Sequence, residues 1–475
     1  MKKIILLLAI TFVTIISYSQ QTIGTWVGIL HAGGQNIEMR LHVFQNADKS
    51  FNSSWDVPIQ KVKGISSSKT EFSNEQISIE VKSIGALFTG KLNSTENKIE
   101  GIWEQSGGKF DLNLDPFTGE APETIIIKTQ TPKPPFNYQS KEFTYEGVNT
   151  KLTYGATLTY PNNDAKFPLI ILITGSGRQD RDETIFDHKP FAVIADFLTK
   201  KGYAVLRVDD RGAGKSTGDF IQSTSADFAL DVEEHINYAK SLSMIDTNKI
   251  GLCGHSEGGL IAPLVAARNK SVSFIIMMAG PGINIVDLMA LQNEGVLRTS
   301  GIGKNEIDAY IPMYKDLMNT ISKSTDTQSA IVKAKEITTA WFNSTNKVFV
   351  KSTTNINNEA DIDKFVNAMV GQLSTKWWKY FANYNPQPVL EKLKCNVLAI
   401  NGSADIQVVA EPNLKGIESS FIKGGNKKFT IKKFEGLNHL FQKCTKCTVS
   451  EYGELTTTIE PEVLEYIADW LQNIK

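Results

Sequence analysis

Short runs of alternating apolar and polar residues fill residues 20–115. Thr25–Leu30, Ile37–Val43 and Ile77–Val81 are examples, and Asn, Gly and Ser separate the runs. A period of two places the apolar side chains on one face of a β-strand. The pattern predicts about eight antiparallel strands that form a small all-β domain, either a barrel or a sandwich.

Five prolines fall within residues 116–137. They are Pro116, Pro122, Pro132, Pro134 and Pro135. Because proline fixes φ and lacks an amide hydrogen, this stretch is predicted to be an extended linker.

The pattern changes after residue 138, where continuous apolar runs alternate with segments of helical period. The apolar runs are Phe167–Ile173, Tyr203–Val208, Ile250–Cys253, Phe274–Met278, Asn396–Ile400 and Lys428–Phe434, and Leu152–Tyr160 precedes them as one strand of a hairpin. Helical periods fall at Phe191–Lys201, Ser225–Leu242 and Pro461–Ile474. Strands that are apolar on both faces and alternate with helices predict an α/β domain with a mostly parallel sheet, built from residues 138–282 and 389–475.

Residues 283–388 interrupt this alternation. They contain helical segments such as Asn305–Ile321 and Ala330–Phe342 and no recognisable strand. We interpret them as a helical cap inserted at the carboxyl edge of the sheet, where it could act as a lid. A separate structural appendage is the alternative.

The first 19 residues have the pattern of a signal peptide. Lys2 and Lys3 precede the apolar stretch Ile4–Ile16, which is short for a bilayer span, and Ser17 and Ser19 are small residues suited to cleavage. We expect a mature chain that starts near Gln20, is exported to a periplasmic or extracellular location and has no stable membrane span. A membrane anchor is the alternative.

Composition narrows the choice of partners and cofactors. Lys and Arg number 50, Asp and Glu number 51, and the formal charge is -1. No basic block is present, so nucleic acid is not expected as a partner. Cys253 and Cys395 are predicted to be buried thiols, whereas Cys444 and Cys447 form either a disulfide or two free thiols. A zinc site would need two more ligands at suitable spacing, so no metal is expected.

A serine between glycines follows strand Ile250–Cys253. Residues Gly254–Gly258 read G-H-S-E-G and open an apolar helical stretch, in which Pro263 is predicted to kink or shorten the helix. A strand, a tight turn and a helix are the context in which a serine nucleophile is exposed. Ser256 is therefore the predicted nucleophile.

A serine nucleophile needs a base, and the positions of the histidines favour His439. The others are His31, His42, His188, His235 and His255. Two of these lie in the β domain, one lies well before the serine, one is mid-helix, and one adjoins the serine on a turn where neighbouring side chains point apart. Only His439 lies in a loop after the last predicted strand.

Asp405 is the predicted carboxylate partner of this histidine. It ends the turn that follows strand Asn396–Ile400, and the nearest competitor, Glu411, lies beyond the strand end. Such a carboxylate accepts a hydrogen bond from the imidazole and holds its tautomer. The order Ser256, Asp405, His439 is the order expected for a nucleophile on this type of strand–turn–helix.

Acyl transfer also needs hydrogen-bond donors for an oxyanion. We expect one donor to be the amide of Glu257, directly after the nucleophile. The other is expected to be the amide of Ser176 or Gly177, in the glycine-containing loop after strand Phe167–Ile173. A plain turn is the alternative for that loop.

Aromatic residues cluster at the end of the predicted cap. They are Trp377, Trp378, Tyr380, Phe381 and Tyr384. Such a cluster is expected to pack between cap and core, and we predict that Trp377, Trp378 and Phe381 also line a substrate pocket.

Over roughly residues 138–475 these features resemble the α/β-hydrolase superfamily. The run Gly175–Asp182, G-S-G-R-Q-D-R-D, is similar to the oxyanion segment of bacterial two-domain carboxylesterases related to the serine aminopeptidase (S33-like) group, although Arg178 stands where that family often has proline. The run Asp209–Ser216 looks like a D-x-R-G-x-G-x-S turn shared by many of these hydrolases. In that turn we expect Asp209 and Arg211 to form a structural ion pair. The resemblance implies an α/β-hydrolase fold, a helical cap and esterase activity on short acyl chains.

Together these observations predict a serine carboxylesterase that uses no cofactor and acts on small-molecule esters. An exported aminopeptidase that acts on peptides with a free N-terminus is the alternative, with Glu257 beside the nucleophile as an acidic group for the amine. A third hypothesis is a non-catalytic binding protein on the same scaffold. For the β domain, binding of a glycan, a lipid or a protein and simple support of the hydrolase all stay open.

Overall fold

A computed structural model describes residues 23–474, except 33–34, 47–48, 59–61, 74, 106–107 and 118–127. The predicted signal peptide and part of the predicted linker lie outside the described residues. The chain divides into two compact units. One comprises the described residues up to 128 with 184–188 and 452–456, and the other comprises 129–183, 189–451 and the residues from 457 onward.

The first unit contains ten antiparallel strands among its described residues. They are β1 (Gly24–Ala32), β2 (Gln35–Gln45), β3 (Phe51–Val57), β4 (Val62–Ser66), β5 (Lys69–Ser73), β6 (Gln76–Val81), β7 (Ala86–Asn93), β8 (Lys98–Gln105), β9 (Gly108–Asp111) and β10 (Asp115–Pro116), with a 3-10 turn at Lys82–Ile84. They form two five-stranded sheets, in the orders β10-β1-β2-β3-β4 and β5-β6-β7-β8-β9.

Both sheets of the first unit contribute to a single apolar core. In this core, Trp55 packs edge-on against Phe88 and Trp103, at ring-centroid distances of 5.3 and 5.0 Å. The count of about eight strands was too low because short strands such as β5 and β9 have no fully buried position, so their apolar pattern is weak. Pro116, which was predicted to belong to the linker, lies in β10 and pairs with Trp26 of β1.

The second unit is built on an eight-stranded sheet. Its strands are β11 (Tyr138–Glu146), β12 (Thr153–Pro161), β13 (Phe167–Ile173), β14 (Ala204–Val208), β15 (Ile245–His255), β16 (Val272–Met278), β17 (Asn396–Gly402) and β18 (Phe429–Phe434). The order is β11-β12-β14-β13-β15-β16-β17-β18. The first two strands form an antiparallel hairpin, β12 pairs antiparallel with β14, and all later pairings are parallel.

Helices cover both faces of this sheet. They are α1 (Pro190–Lys200), α2 (Ser225–Lys240), α3 (Gly258–Ala266), α11 (Ala410–Gly424) and α12 (Pro461–Asn473), and a 3-10 turn spans Val449–Glu454. Alternate residues of the continuous apolar strands enter two separate cores. Leu169 and Ile171 pack with α2, α3 and α11, whereas Ile170 and Leu172 pack with α1 and α12. Pro263 is tolerated inside α3, which ends three residues later.

Seven helices fill the interval between β16 and β17. They are α4 (Ile285–Thr299), α5 (Lys304–Lys323), α6 (Thr327–Ser344), α7 (Lys347–Thr354), α8 (Ala360–Leu373), α9 (Lys376–Ala382) and α10 (Gln387–Leu390). They have an apolar core of their own, in which Leu317, Met318 and Val350 are fully buried. Across the described residues, no helix has the length and apolar character needed to cross a membrane.

Candidate active site

Ser256 lies on a strained turn between β15 and α3. Its φ is +52°, in the left-handed region that is unfavourable for a residue with a Cβ. The amide of Ser256 donates to the carbonyl of Met278 at 2.8 Å, which fixes the turn against β16. Gly258 is required here, because a Cβ at that position would lie 2.1 Å from the carbonyl oxygen of Ile173. The strain and the close packing together hold Ser256 at the carboxyl edge of the sheet.

Asp405 and His439 are hydrogen-bonded to each other in a buried position. Oδ2 of Asp405 lies 2.7 Å from Nδ1 of His439, and the side chains are 0% and 5% exposed. Oδ1 of Asp405 accepts from the amides of Gln407 and Val408 at 2.7 and 2.9 Å. The carboxylate is therefore fixed on both sides, and Nε2 of His439 is left as the ring nitrogen available to a reacting group.

Two close contacts, each at a glycine, bring the loops that carry the predicted residues into one region. Gly402 ends β17, and a Cβ there would lie 2.1 Å from the carbonyl of Leu437, so glycine lets the Asp405 turn pass against the His439 loop. A Cβ on Gly175 would lie 3.2 Å from the Cβ of Ser256, so the loop after β13 passes directly beside the serine.

A buried pair, Glu183 and His255, joins these loops. Oε1 of Glu183 accepts from the amide of Gly175 at 2.6 Å and lies 3.1 Å from Nδ1 of His255. Nε2 of His255 lies 3.0 Å from the carbonyl oxygen of His439. Burial alone would lower the pKa of His255, but the charge of Glu183 and these hydrogen bonds outweigh it and raise the pKa. A protonated His255 can donate from both ring nitrogens at once.

Sequence reasoning missed both members of this pair. His255 was set aside because its side chain points away from that of Ser256, and Glu183 was not considered at all. One available signal was that Glu183 directly follows the run Gly175–Asp182.

Of the predicted oxyanion residues, Glu257 directly follows the serine, and Ser176 hydrogen-bonds to the side chain of Glu257. The amide of Glu257 is at the N-terminus of α3, where the first amides of a helix have no partner within the helix. Gly177 has a φ of +98°, and the loop is anchored by Asp210, which accepts from Thr174 Oγ1 at 2.6 Å and from the amide of Gln179 at 2.8 Å. Burial raises the pKa of Asp210 well above its usual range.

The side chain of Glu257 connects α3 to the helices between β16 and β17. It is 2% exposed and accepts from Ser225 Oγ at 2.5 Å and from Trp377 Nε1 at 2.8 Å, and Ser176 also hydrogen-bonds to it. Burial raises the pKa of this carboxyl, although the three hydrogen bonds oppose the rise.

Of the three predicted pocket residues, Trp377 is hydrogen-bonded to a residue next to the serine, since its Nε1 donates to Glu257 at 2.8 Å. Phe381 is stacked on Trp377 at 4.8 Å, and Trp378 meets Trp377 edge-on at 4.9 Å. Trp378 also packs against the core of the intervening helices.

The expected ion pair between Asp209 and Arg211 does not form. Asp209 instead pairs with Arg181, whose Nη2 lies 2.6 Å from Oδ2, and Arg211 forms two 2.7 Å bonds to Asp231 on α2. Burial would raise the pKa of Asp209, but its bonds from Arg181 and from two backbone amides lower it. The prediction was wrong because both residues lie in the turn after β14, where their side chains point to different neighbours.

Cys444 and Cys447 form a disulfide. Within the part of the chain that the structure describes, they and Glu451 make up one cluster of potential metal ligands. The disulfide removes the thiolates that zinc would need, and the carboxylate of Glu451 accepts from the amides of Thr445, Lys446 and Cys447.

Comparisons with known proteins agree with this architecture. Residues 188–365 match the family model described as serine aminopeptidase, S33, a range that contains Ser256 and ends before Asp405. Esterase EstD of Thermotoga maritima is 23% identical over 377 residues, which cover 79% of this chain and 74% of that protein. An uncharacterized 31.7 kDa protein of Escherichia coli is 32% identical over 128 residues, 26% of this chain and 42% of its own length.

Solved structures show a weaker likeness. An esterase of Pyrococcus furiosus gives a TM-score of 0.42 at 14% identity, over 71% of this chain and 91% of that one. The strand order of the second unit and the strained serine turn show an α/β-hydrolase fold, and residues 188–365 within it match the serine aminopeptidase (S33) family model.

Proposed function

We propose that this protein is a serine esterase that hydrolyses small carboxylic esters with short acyl chains. The observation that carries the proposal is the buried hydrogen bond of 2.7 Å between Asp405 and His439. The loop of His439 is also held to the turn of Ser256, because the carbonyl of His439 is hydrogen-bonded to the ring of His255. Similarity to Esterase EstD over most of both chains also supports it.

In the proposed mechanism, Ser256 Oγ attacks the ester carbonyl and Nε2 of His439 takes its proton. Asp405 holds the tautomer of the imidazole and stabilises the cation that forms. The oxyanion accepts hydrogen bonds from the amide of Glu257 and from that of Ser176 or Gly177. His439 returns the proton to the leaving alcohol, and water, deprotonated by the same imidazole, releases the acid from Ser256.

An aminopeptidase is the second candidate, since the family model that matches this chain is named for that activity. Such an enzyme needs an accessible carboxylate for the substrate amine. Glu257 is buried, its Oε1 accepts from both Ser225 and Trp377, Ser176 also hydrogen-bonds to the carboxyl, and burial raises its pKa. A carboxyl in this state is poorly suited to bind an ammonium group, which favours the esterase.

Hydrolysis of p-nitrophenyl acetate and of alanine p-nitroanilide separates the two candidates. We expect a much larger kcat/KM for the ester, a decline along an acyl series from acetate to octanoate, and no turnover by Ser256→Ala. Preferential cleavage of the anilide would support the aminopeptidase, and full activity of Ser256→Ala would reject both. We place Trp377, Trp378 and Phe381 at the wall of the acyl pocket, so replacing Trp377 should alter the chain-length preference.

We also propose that the protein acts in the periplasm or outside the cell. The charged and apolar N-terminal segment supports export, and so does the disulfide, because disulfides persist mainly in oxidising compartments. Fractionation of producing cells should find a mature chain that begins near Gln20. An intact N-terminus in the cytoplasmic fraction would contradict this.

A further inference from the structure

Three successive residues of the loop after β13 are each held by a different acidic side chain. The pairs are Thr174 with Asp210, Gly175 with Glu183, and Ser176 with Glu257. Asp210 and Glu183 lie outside the turn of Ser256, whereas Glu257 belongs to that turn. The bond between Ser176 and Glu257 therefore links the loop directly to the nucleophile.

The carboxyl of Glu257 is itself held from two further sides. Its Oε1 accepts from Ser225 Oγ at 2.5 Å, at the start of α2, and from Trp377 Nε1 at 2.8 Å, on α9. The backbone of Glu257 is helical, with a φ of −57° and a ψ of −34°, and the residue is 2% exposed. Because both the backbone and the carboxyl are fixed, Glu257 can fix the position of Ser176 relative to Ser256.

The proposed mechanism depends on the spacing of two amides. One is the amide of Glu257, and the other is that of Ser176 or Gly177. Such donors stabilise a transition state only when they point to the place where the negative charge develops. Gly177 has a φ of +98°, and glycine has more backbone freedom than other residues, so the loop relies on its side-chain contacts to keep one conformation.

We propose that the side chain of Glu257 is a positioning residue for ester hydrolysis, which holds the loop of Ser176 at the distance from the Glu257 amide that the oxyanion requires. This inference rests on the proposed esterase function. Glu257 contributes one donor from its main chain and orients the second through its side chain. The carboxyl itself takes no part in bond making or proton transfer.

Three variants test this role by steady-state hydrolysis of p-nitrophenyl acetate. Glu257→Leu is of comparable size but removes every acceptor, so kcat should fall about 10- to 100-fold with little change in KM. Glu257→Gln keeps Oε1 for its two donors and turns its NH2 group toward the hydroxyl of Ser176, which can accept, so kcat should stay within about threefold of the wild type. Ser176→Ala removes only the loop hydroxyl and should lower kcat about tenfold.

An alkyl trifluoromethyl ketone separates positioning from folding, because its adduct with Ser256 carries an oxyanion. In Ser176→Ala and Glu257→Leu its Ki should rise by the factor by which kcat/KM falls. The double variant should be no slower than Glu257→Leu alone, since both changes remove the same contact. Ser241→Ala, which removes an exposed serine hydroxyl after α2, is the matched control and should keep the wild-type kcat and Ki.

Wild-type kcat and Ki in Ser176→Ala would overturn the proposal, even if Glu257→Leu fails to fold. A fall in kcat that Ki does not follow, or a double variant in which the two losses multiply, would also overturn it. So would an equal loss of kcat in Glu257→Gln and Glu257→Leu, because Gln keeps the hydrogen bonds. Failure of the proposed function looks different: the wild type would hydrolyse no ester, or Ser256→Ala would be fully active.

Discussion

Replacement of Asp405 by Asn should invert the tautomer of His439. In the wild type, Oδ1 of Asp405 is fixed by the amides of Gln407 and Val408, and Oδ2 faces Nδ1 of His439. An Asn at this position keeps its carbonyl oxygen on the two amides, so its NH2 group must face Nδ1. The imidazole then accepts at Nδ1 and carries its proton on Nε2, where it cannot take a proton from Ser256.

The size of this effect follows from the bonds involved. Restoring the active tautomer would turn two N–H groups toward each other in a fully buried site, which costs about 1–3 kcal/mol. Loss of the charge-assisted bond to the imidazolium adds about 1.5–3 kcal/mol. The total of roughly 2.5–6 kcal/mol corresponds to a decrease in kcat of about two to four orders of magnitude, since about 1.36 kcal/mol changes a rate tenfold.

The assay is steady-state hydrolysis of p-nitrophenyl acetate by the wild type, Asp405→Asn and Glu411→Gln. Glu411 is the matched control, because it lies near the same strand end with a side chain that is 78% exposed. We expect nearly unchanged KM for Asp405→Asn, similar urea unfolding curves for all three proteins and a loss of kcat in Asp405→Asn alone. If Asp405→Asn kept kcat within tenfold of the wild type, the assigned role of Asp405 would be refuted.

Three further predictions concern buried groups. Glu183→Gln removes the negative charge beside His255, so the imidazole becomes neutral, keeps a single N–H and must give up one of its two hydrogen bonds, each worth about 1–1.5 kcal/mol. Steady-state kinetics should therefore show kcat about tenfold lower, with little change in KM. Trp377→Phe keeps an aromatic ring on Phe381 but removes the donor to Glu257, so urea unfolding should show a loss of about 1–2 kcal/mol. His235 has a pKa lowered to about 3 by burial, so it stays neutral in the folded protein at pH 5 while the unfolded chain, with a pKa of about 6.5, binds a proton. The stability of the wild type relative to His235→Asn should therefore fall by about 2 kcal/mol between pH 7 and pH 5, as measured by urea unfolding at both values.

Each of these results can turn out otherwise. An increase in KM at constant kcat in Glu183→Gln would indicate a role in substrate binding rather than in positioning His439. Unchanged stability of Trp377→Phe would mean that water replaces the indole donor. If the difference in free energy of unfolding between the wild type and His235→Asn did not vary with pH, His235 would not be buried as a neutral group.

Much of the second unit could be predicted because its strands are apolar on both faces. The run at β13, for example, has no polar residue, and in β17 the four residues Val397–Ile400 are all apolar, so neither strand has the alternation of a half-exposed strand; this indicates a covered parallel sheet. Strand ends at a common edge then placed Asp405 and His439 near each other, and the structure joins them at 2.7 Å.

Contacts between loops were harder to predict. Glu183 lies in an irregular segment, where no periodicity shows which way a side chain points. Asp209 and Arg211 are close in sequence, but the turn after β14 sends one to Arg181 and the other to Asp231. A short strand such as β9 is hard to recognise in the sequence because its burial alternates only between exposed and half-buried positions.

The central claim is that Ser256 is a nucleophile activated by His439 and Asp405. Reaction of the full mature protein with a fluorophosphonate, followed by peptide mass mapping, tests it most directly. We predict one adduct, located on Ser256, that is absent in Ser256→Ala and forms far more slowly in Asp405→Asn and His439→Ala. An adduct on a different residue, or labelling of Ser256 at an unchanged rate in both partner variants, would contradict the account.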